Sequence, residues 1–263
     1  MRSTPPHATP VWAELLEAQD VDGLERWLRD SPSVDYPFVS ATRDFLASLV
    51  GSDPVRAHGV SSLVLSQISG LPEADDAEAH RIHAMAWRSH AETAMYAGKT
   101  REARRYYRKA SELADRSGDD QLRGRILVGR VGLLSTLGER ARSEKLAAEA
   151  IEALQGVSDL DYLGRLHMNL GNAAYQREEF GRAIEEFDLA ATLFDEQGIR
   201  GPMRLGLEMN RGSACDELSL VEEARRIFLG VERDSTELGL DLFRAQARFN
   251  RGVLEGYFGD YRV

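Results

Sequence analysis

The 263-residue chain carries 33 lysines and arginines against 43 aspartates and glutamates, a formal net charge of −10 at pH 7. Its hydrophobic fraction of 43% is enough for a buried core, which excludes a wholly disordered chain. The acidic balance argues against nucleic acid as a partner, because that binding depends on lysine and arginine contacts to phosphate. The single cysteine excludes an intrachain disulfide framework and a multi-cysteine zinc site.

Neither a membrane span nor a secretory signal is evident in the sequence. No apolar run approaches the roughly 18 residues that a membrane span needs. The first residues, Met-Arg-Ser-Thr-Pro-Pro, lack the apolar stretch of a signal peptide. We therefore expect a cytoplasmic protein with no membrane partner.

The distribution of prolines predicts a helical protein. Seven of the eight prolines lie at or before Pro72, and only Pro202 interrupts the rest of the chain. That stretch is rich in alanine, leucine, glutamate and arginine, which favour helices, and it has no alternating β-branched runs. The sequence therefore predicts an all-α fold.

Small residues recur in the chain with a period of about 40 residues. Gly171, Gly212 and Gly252 are 41 and 40 residues apart, and each is the second residue after an asparagine. Ala183 and Ala224 each follow the glycine of their own unit by twelve residues. Such a period predicts helical hairpins that stack, because one hairpin alone cannot bury its apolar face. We expect large side chains four positions after the second small residue to fill the space beside it: Tyr107, Phe187 and Phe228.

These positions resemble the tetratricopeptide repeat. The family's pattern of Trp-x2-Leu-Gly-x2-Tyr followed by Ala-x3-Phe-x2-Ala is best matched by Leu170-Gly171, Ala183, Phe187 and Ala190. The period of about 40, rather than about 34, resembles the longer repeats of bacterial signalling proteins. Those include sensor arms of transcription activators and arms joined to caspase-like CHAT protease domains. The resemblance implies a right-handed α-solenoid of antiparallel hairpins, a tetratricopeptide-like superhelix.

The repeat suggests a division of the chain into three parts. We predict degenerate N-terminal helical hairpins over 1–70, an acidic linker over 71–79, and repeats over 80–263. The repeats are predicted at about 84–123, 124–163, 164–204 and 205–244, with a truncated unit at 245–263. The truncated unit lacks a second helix to cover its apolar residues. Two explanations stay open: a longer protein, which we favour, or a half-repeat covered by dimerisation or by docking within the chain.

The first helix of each repeat carries the predicted binding surface. In the tetratricopeptide family these helices line a concave groove that grips an extended or helical peptide, which implies a protein or peptide partner here. The groove residues implied are Arg88, Glu92, Arg125, Arg165, Met168, Asn169, Asn172, Tyr175, Met209, Asn210, Asp216, Phe249 and Asn250, with Met95, Val128 and Ser213 beside them. An asparagine amide both donates and accepts, so the recurring asparagines suit either a ligand backbone or bonds between helices.

One basic cluster stands out from the acidic background. Arg101, Arg104, Arg105 and Arg108 share one face of a helix, which the repeat places on the convex side. A solvated face is the favoured interpretation, and docking of an acidic segment is the alternative.

No residue pattern in the chain predicts catalysis. Cys215 falls at a small packing position, so we expect a buried cysteine rather than a nucleophile. His80, His83 and His90 lie on one side of a predicted helix, with Asp76 able to join them. We interpret them as packing residues, because their spacing matches no zinc motif. We therefore expect a non-enzyme with no cofactor and no metal.

The sequence thus predicts a binding scaffold or sensor arm, part of a longer bacterial signalling protein. Two alternatives remain open. The chain is the regulatory region of an enzyme, such as a CHAT protease with its catalytic domain beyond residue 263, or it is a receptor for a small molecule or signalling peptide.

Overall fold

A computed structural model describes residues 10–30, 36–69 and 76–257, and within these ranges every regular element is a helix. The all-α prediction is therefore confirmed. The helices are α1 (Val11–Glu17), α2 (Val21–Asp30), α3 (Tyr36–Ser52), α4 (Pro54–Ser69), α5 (Ala77–Tyr96), α6 (Thr100–Ser117), α7 (Asp120–Thr136), α8 (Arg140–Gly156), α9 (Leu160–Tyr175), α10 (Phe180–Glu196), α11 (Pro202–Glu217), α12 (Val221–Glu237) and α13 (Asp241–Tyr257).

The chain forms two compact units, divided between Gly129 and Arg130 within α7. In the first unit, α1 packs on α2 and α3, and α5 packs on α3, α4 and α6. In the second unit, α9 pairs with α10 and α11 pairs with α12. Helices of neighbouring hairpins also touch, α10 with α11 and α12 with α13. Each unit is thus a series of helices packed on their neighbours in the chain.

Glycines in first helices make room for aromatic rings from second helices. A Cβ atom added to Gly171 would lie 2.5 Å from Cε1 of Phe187, and one added to Gly212 would lie 2.6 Å from Cε1 of Phe228. Both rings are buried and come from the other helix of the same hairpin. The two rings were predicted to fill the space beside Ala183 and Ala224, and the structure shows them against the first small residue of each unit, Gly171 and Gly212.

Tyr107 of α6 makes a related contact with a different partner. Its ring is buried against the backbone of Gly129 in α7, the first helix of the next hairpin. Phe187 and Phe228 pack on the helix before their own, whereas Tyr107 packs on the helix after its own. The same large-into-small packing therefore joins neighbouring hairpins in the first unit.

Turns between helices repeat with the same period. A residue with a left-handed backbone stands in the turn of four successive hairpins from α5–α6 to α11–α12, at Gly98, Gly138, Glu178 and Ser219, which are 40, 40 and 41 residues apart. A second series falls between hairpins, at Gly118, Ser158, Gly198 and Gly239. Glycine adopts this conformation without steric cost, whereas Ser158, Glu178 and Ser219 adopt it at a steric cost. The period is therefore a property of the backbone, and glycine marks only part of it.

Several predicted features fall at the limits of the described residues. Residues 70–75 lie outside them, and α5 begins at Ala77, where the Asp76 side chain accepts a hydrogen bond from the Glu78 amide. The linker over 71–79 and the domain limits thus stay predictions. The predicted turn around Phe258 and Gly259 also lies outside the described residues. Among the described helices, none is long and apolar enough to cross a membrane.

A pair of stacked histidines lies in the core of the first unit. The rings of His58 and His90 are 4.5 Å apart at their centroids, and both residues are buried. The Ser61 hydroxyl lies 2.8 Å from His90 Nδ1 and 2.8 Å from the Thr93 hydroxyl. The ring of Tyr106 contacts His90 from α6, at 4.4 Å between centroids. His90 is therefore a packing residue in a polar network whose second histidine comes from α4.

Burial holds both histidines in the neutral form. Removal from water lowers the pKa of His90 to about 3, with the charges of His58 and Lys99 adding to the effect. The pKa of His58 is also lowered, chiefly by burial and then by Lys99, while Glu102 opposes the shift. Protonating either ring inside the unit would place an uncompensated charge there.

Replacing Gly171 with alanine should lower the free energy of unfolding by about 1–3 kcal/mol, because the Phe187 ring has no space into which to move. Gly230 is the matched control: it is helical, and a Cβ added there meets nothing within 4 Å. Gly230→Ala should raise stability by about 0.5–1 kcal/mol. Urea unfolding followed by circular dichroism measures both. Equal effects of the two substitutions would contradict the ring-into-glycine packing.

Acid should destabilise the histidine network. The unfolded chain binds a proton at an ordinary histidine pKa of 6.5, whereas folded His90 does not until about pH 3. Its contribution to stability is therefore fully present above pH 6.5 and is lost as the pH falls from there toward 3. Unfolding free energies measured across this range should become less dependent on pH in His90→Asn. His80→Gln, a change outside the network, is the control, and an equal loss of pH dependence there would count against this account.

Candidate peptide-binding face

Two neighbouring first helices, α9 and α11, carry most of the predicted groove residues. We call their shared polar surface the α9–α11 face. It comprises Arg165, Asn169, Asn172, Tyr175, Asn210, Ser213, Asp216 and Glu217. The spacing of three or four residues along each helix places these side chains along one side. The partly exposed members have space for contacts beyond the chain itself.

An amide–amide hydrogen bond joins the two helices at the centre of this face. Nδ2 of Asn210 donates to Oδ1 of Asn172 at 2.8 Å. This contact supports the interhelical role for these two residues. Each amide has further donor or acceptor capacity, because an asparagine side chain carries two N–H groups and two lone pairs. The pair can thus fix the spacing of the helices and still bind a ligand backbone.

The other recurring asparagines occupy different surroundings. Nδ2 of Asn169 lies 3.2 Å from the position that a Cβ on Gly132 would take, so this side chain packs closely on α7. Asn250 is partly exposed on α13. Equivalent repeat positions therefore do not make equivalent contacts.

Tyr175 and Glu217 join the same helices near their C-terminal ends. The Tyr175 hydroxyl donates to Oε1 of Glu217 at 3.4 Å, and its ring makes an edge contact with Phe180 at 5.3 Å. Burial raises the pKa of Tyr175, and the charge of Glu217 adds to the shift. The phenol thus keeps its proton and donates a hydrogen bond to the carboxylate.

Asp216 stands beside this contact with its charge uncompensated. Burial raises the pKa of Asp216, and the neighbouring charge of Glu217 raises it further. Within the described residues, no basic side chain forms an ion pair with Asp216 or Glu217. The arginines of α11 are engaged elsewhere: Arg211 bonds Asp188 at 2.6 Å, and Arg204 bonds Asp195 at 3.2 Å. This end of the face therefore carries two adjacent carboxyl groups, an arrangement that favours a cation.

Arg165 lies on the α9 part of the face and is held within its own helix. Its Nε and Nη2 donate to the two carboxylate oxygens of Asp161 at 2.9 and 3.1 Å. Its guanidinium also lies 4.8 Å from the centroid of the Tyr162 ring. The predicted bidentate grip on a carboxylate is therefore made with Asp161.

The two predicted methionines contribute to packing. Cε of Met168 lies 4.0 Å from the Cβ position of Gly206 in α11, and Met209 packs beside Cys215 and Phe228. Both are partly buried, so their apolar surface is shared between the core and the face.

Predicted groove residues of the first unit lie in a separate setting. Arg88 is buried, with 5% of its surface exposed, and its Nη2 lies 2.9 Å from Oε1 of Glu92. Arg88 is thus almost closed to a ligand, whereas Glu92 keeps 29% of its side chain exposed and is already paired with Arg88. Arg125 is partly exposed on α7. We therefore do not carry Arg88 and Glu92 into the functional proposal.

The basic cluster on α6 is mostly solvated. Arg101, Arg105 and Arg108 are exposed, whereas Arg104 is partly buried. The Arg105 guanidinium lies 5.4 Å from the centroid of the Tyr106 ring, a cation–π contact at the surface. No contact within the described residues distinguishes this cluster from an ordinary charged face.

Catalytic and metal-binding arrangements find no support in the described ranges. Cys215 is buried among Ala224, Phe228 and Leu254, as predicted, and burial raises the pKa of its thiol. No group of three or more histidine, cysteine or acidic side chains in these ranges is placed to hold a metal ion. The ring of His90 stacks on the ring of His58. Sequence analysis missed His58 because it lies one hairpin earlier in the chain.

Sequence analysis also missed Glu217. Its neighbour Asp216 matched a groove position of the repeat, but a pair of adjacent acids on a helix is normally solvated. A signal was present in the pattern of charge, since no lysine or arginine stands three or four residues from Asp216 on the C-terminal side. The arginine on the N-terminal side, Arg211, turns to α10 and α12.

Comparison with known proteins identifies the fold. No family model matches the chain, and no curated protein sequence matches it. Solved structures do match. A Rap protein complexed with Competence and Sporulation Factor superposes with a TM-score of 0.67 at 12% identity, covering 90% of this chain and 78% of that one. BtubC from P. vanneervenii gives 0.57 at 15% identity over 88% and 93% of the two chains.

A third match carries the repeat in its description. It is a signal transduction ATPase with a tetratricopeptide repeat sensor from Pyrococcus horikoshii, with a TM-score of 0.65 at 14% identity. The match covers 95% of this chain and 38% of that one. At these identities the likeness concerns the fold alone. Together with the helix order and the ring-into-glycine packing, it shows that this chain has the helical fold of tetratricopeptide-repeat proteins.

Proposed function

We propose that this protein is a non-catalytic scaffold or sensor arm that binds a peptide segment along the α9–α11 face. The partner carries a basic group, either a lysine or arginine side chain or a free amino terminus. Asp216 and Glu217 receive this group, and the amides of Asn172 and Asn210 bond the peptide backbone beside it.

The uncompensated charge of Asp216 is the observation that carries this proposal. A half-buried carboxylate with a raised pKa and an acidic neighbour is held at a cost to the fold. Perturbed groups of this kind concentrate at functional sites. A ligand cation would supply the missing counter-charge, and charge-assisted hydrogen bonds are among the strong ones in proteins.

The solved relatives agree with a binding role. The Rap protein was solved with Competence and Sporulation Factor, and the Pyrococcus protein is described as having a tetratricopeptide repeat sensor. At 12% and 14% identity these likenesses concern the fold. The basic character of the partner is inferred from Asp216 and Glu217 alone.

A selection from a random peptide library displayed on phage tests the proposal. Peptides selected on the wild-type protein should be enriched in lysine or arginine at one position. Asp216→Asn should weaken a selected peptide about tenfold, since loss of a charged hydrogen bond costs about 1.5 kcal/mol. Asp234→Asn, which removes an exposed acid on α12, is the matched control. A selection with no basic preference, or an Asp216→Asn variant that binds as tightly as the wild type, would contradict this proposal.

The pH dependence of stability and of binding provides a second test with Asp216→Asn. Because folding raises the pKa of Asp216, the fold favours the protonated carboxyl; this contribution to stability is full below the unfolded pKa and is lost as the pH rises through the folded pKa, where the ionised form destabilises the fold. Asp216→Asn should therefore leave the melting temperature unchanged or raise it. Binding of a cationic peptide favours the ionised carboxylate, so its affinity should rise over the same pH interval. A variant that loses binding only because it unfolds would show a lowered melting temperature instead.

A further inference from the structure

The last described helix exposes a continuous apolar surface. We call it the α13 stripe, and it consists of Leu242, Ala245, Phe249, Gly252, Val253 and Gly256. Leu242 and Phe249 each expose 70% of their surface. The opposite side of α13 is buried through Ala247 and Leu254. The stripe is therefore one face of a firmly packed helix, and three of its members are large apolar residues exposed to solvent.

Gly252 is an unfilled packing position within this stripe. Its equivalents Gly171 and Gly212 each receive a phenylalanine ring from a neighbouring helix. Among the described residues, nothing lies within 4 Å of a Cβ added to Gly252 or to Gly256. The stripe thus presents a hole of the kind that holds an aromatic ring elsewhere in this unit, and it presents an exposed ring, Phe249, three residues away.

The spacing along the stripe is that of a two-helix seam. Leu242, Ala245, Phe249, Gly252 and Gly256 follow one another at intervals of three, four, three and four residues, the heptad spacing of a coiled coil. Large residues and small residues share this seam, and small residues let two helix axes approach to about 8 Å. Such a seam is complementary to another helix rather than to an extended chain.

We propose that the α13 stripe is a dimer interface that receives the α13 stripe of a second copy, with the two helices antiparallel. Around a twofold axis, each residue of one copy meets the residue equally far beyond the midpoint in the other. A midpoint halfway between 250 and 251 brings Phe249 opposite Gly252 of the second copy and Ala245 opposite Gly256. Each copy then fills the hole of the other with its own ring. The same patch supplies both partners, as an isologous contact requires.

Charge does not oppose this pairing. Arg248 and Arg251 lie on α13 next to the stripe, and both bond Glu232 of α12, at 3.1 and 2.8 Å. Arg251 also bonds Glu255 at 2.9 Å. Their charges are thus compensated within one copy before the second arrives. A single pair of helices buries less than the roughly 1,200 Å² of a standard interface, so we expect a weak dimer.

Sedimentation equilibrium of the whole chain tests the proposal over about 1–300 µM, a range that spans weak association. The mass should rise with concentration from 29.3 kDa toward twice that value. Gly252→Leu places a side chain in the hole, with a Cβ that meets no described residue of its own copy within 4 Å, and Phe249→Ala removes the ring. Each should weaken the dimer at least about tenfold, the effect of losing one well-packed side chain. Leu229→Ala, at an exposed leucine of α12, is the control that should leave the dimer unchanged.

Cysteine cross-linking tests the antiparallel register. Phe249→Cys mixed with Gly252→Cys should form a mixed disulfide on oxidation faster than either variant forms one with itself. The native Cys215 is buried and does not compete. A chain that stays at 29.3 kDa at every concentration overturns the proposal, as does a dimer that Gly252→Leu leaves intact. The proposal also fails if the chain stays monomeric while a peptide of residues 221–237, the sequence of α12, binds to it and Gly252→Leu blocks that binding. The stripe would then take the second helix of a repeat.

This dimer is independent of the peptide-binding proposal. It assigns Phe249 to the α13 stripe, and it uses none of the residues on the α9–α11 face. Asp216→Asn should leave dimerisation unchanged, and Gly252→Leu should leave peptide binding unchanged. A failure of one proposal is therefore separable from a failure of the other.

Discussion

The packing of an aromatic ring against a glycine backbone is the contact on which the second unit depends. At Gly171 and Gly212 the missing side chain lets a phenylalanine ring of the paired helix lie directly on the backbone. This close approach fixes the distance between the two helices of a hairpin and the rotation of each about its axis. The rotation then decides which residues turn toward neighbouring hairpins, so Asn172 reaches Asn210 and Tyr175 reaches Glu217. The apolar contact between ring and glycine thus sets the arrangement of the polar side chains on the α9–α11 face.

Periodic features of the chain were predictable from sequence, and contacts between particular polar groups were not. Gly171, Phe187 and Cys215 could be assigned because size alternates along the repeat, and size at a repeated position decides burial. Sequence analysis did not predict the left-handed turns at Glu178 and Ser219, because neither position is a glycine. There the repeat imposes the conformation and the local residue tolerates it. The stacking of His58 on His90 depends on two helices whose sequences carry no shared pattern.

Charge distribution separates the parts of the molecule that maintain the fold from the part suited to binding. Most arginines of the second unit lie next to acids, as Arg211 does with Asp188 and Arg251 does with Glu232. Exposed pairs of this kind contribute little stability each, but they leave few isolated charges on the surface. Against this background Asp216 is an exception, because its acidic neighbour raises the cost of its ionisation. Because no ion pair within the described residues involves Asp216, its carboxylate is available to a partner.

The buried thiol of Cys215 gives this unit an internal reporter of its own motion. The residue exposes 1% of its surface, and burial raises its pKa, so it reacts poorly while α11 and α12 stay packed. A thiol reagent reaches it only when that hairpin opens, and the labelling rate under native conditions measures how often opening occurs. Because the chain has no other cysteine, the signal comes from one place. The labelling rate of Cys215 therefore reports how often the repeat that carries Asp216 opens.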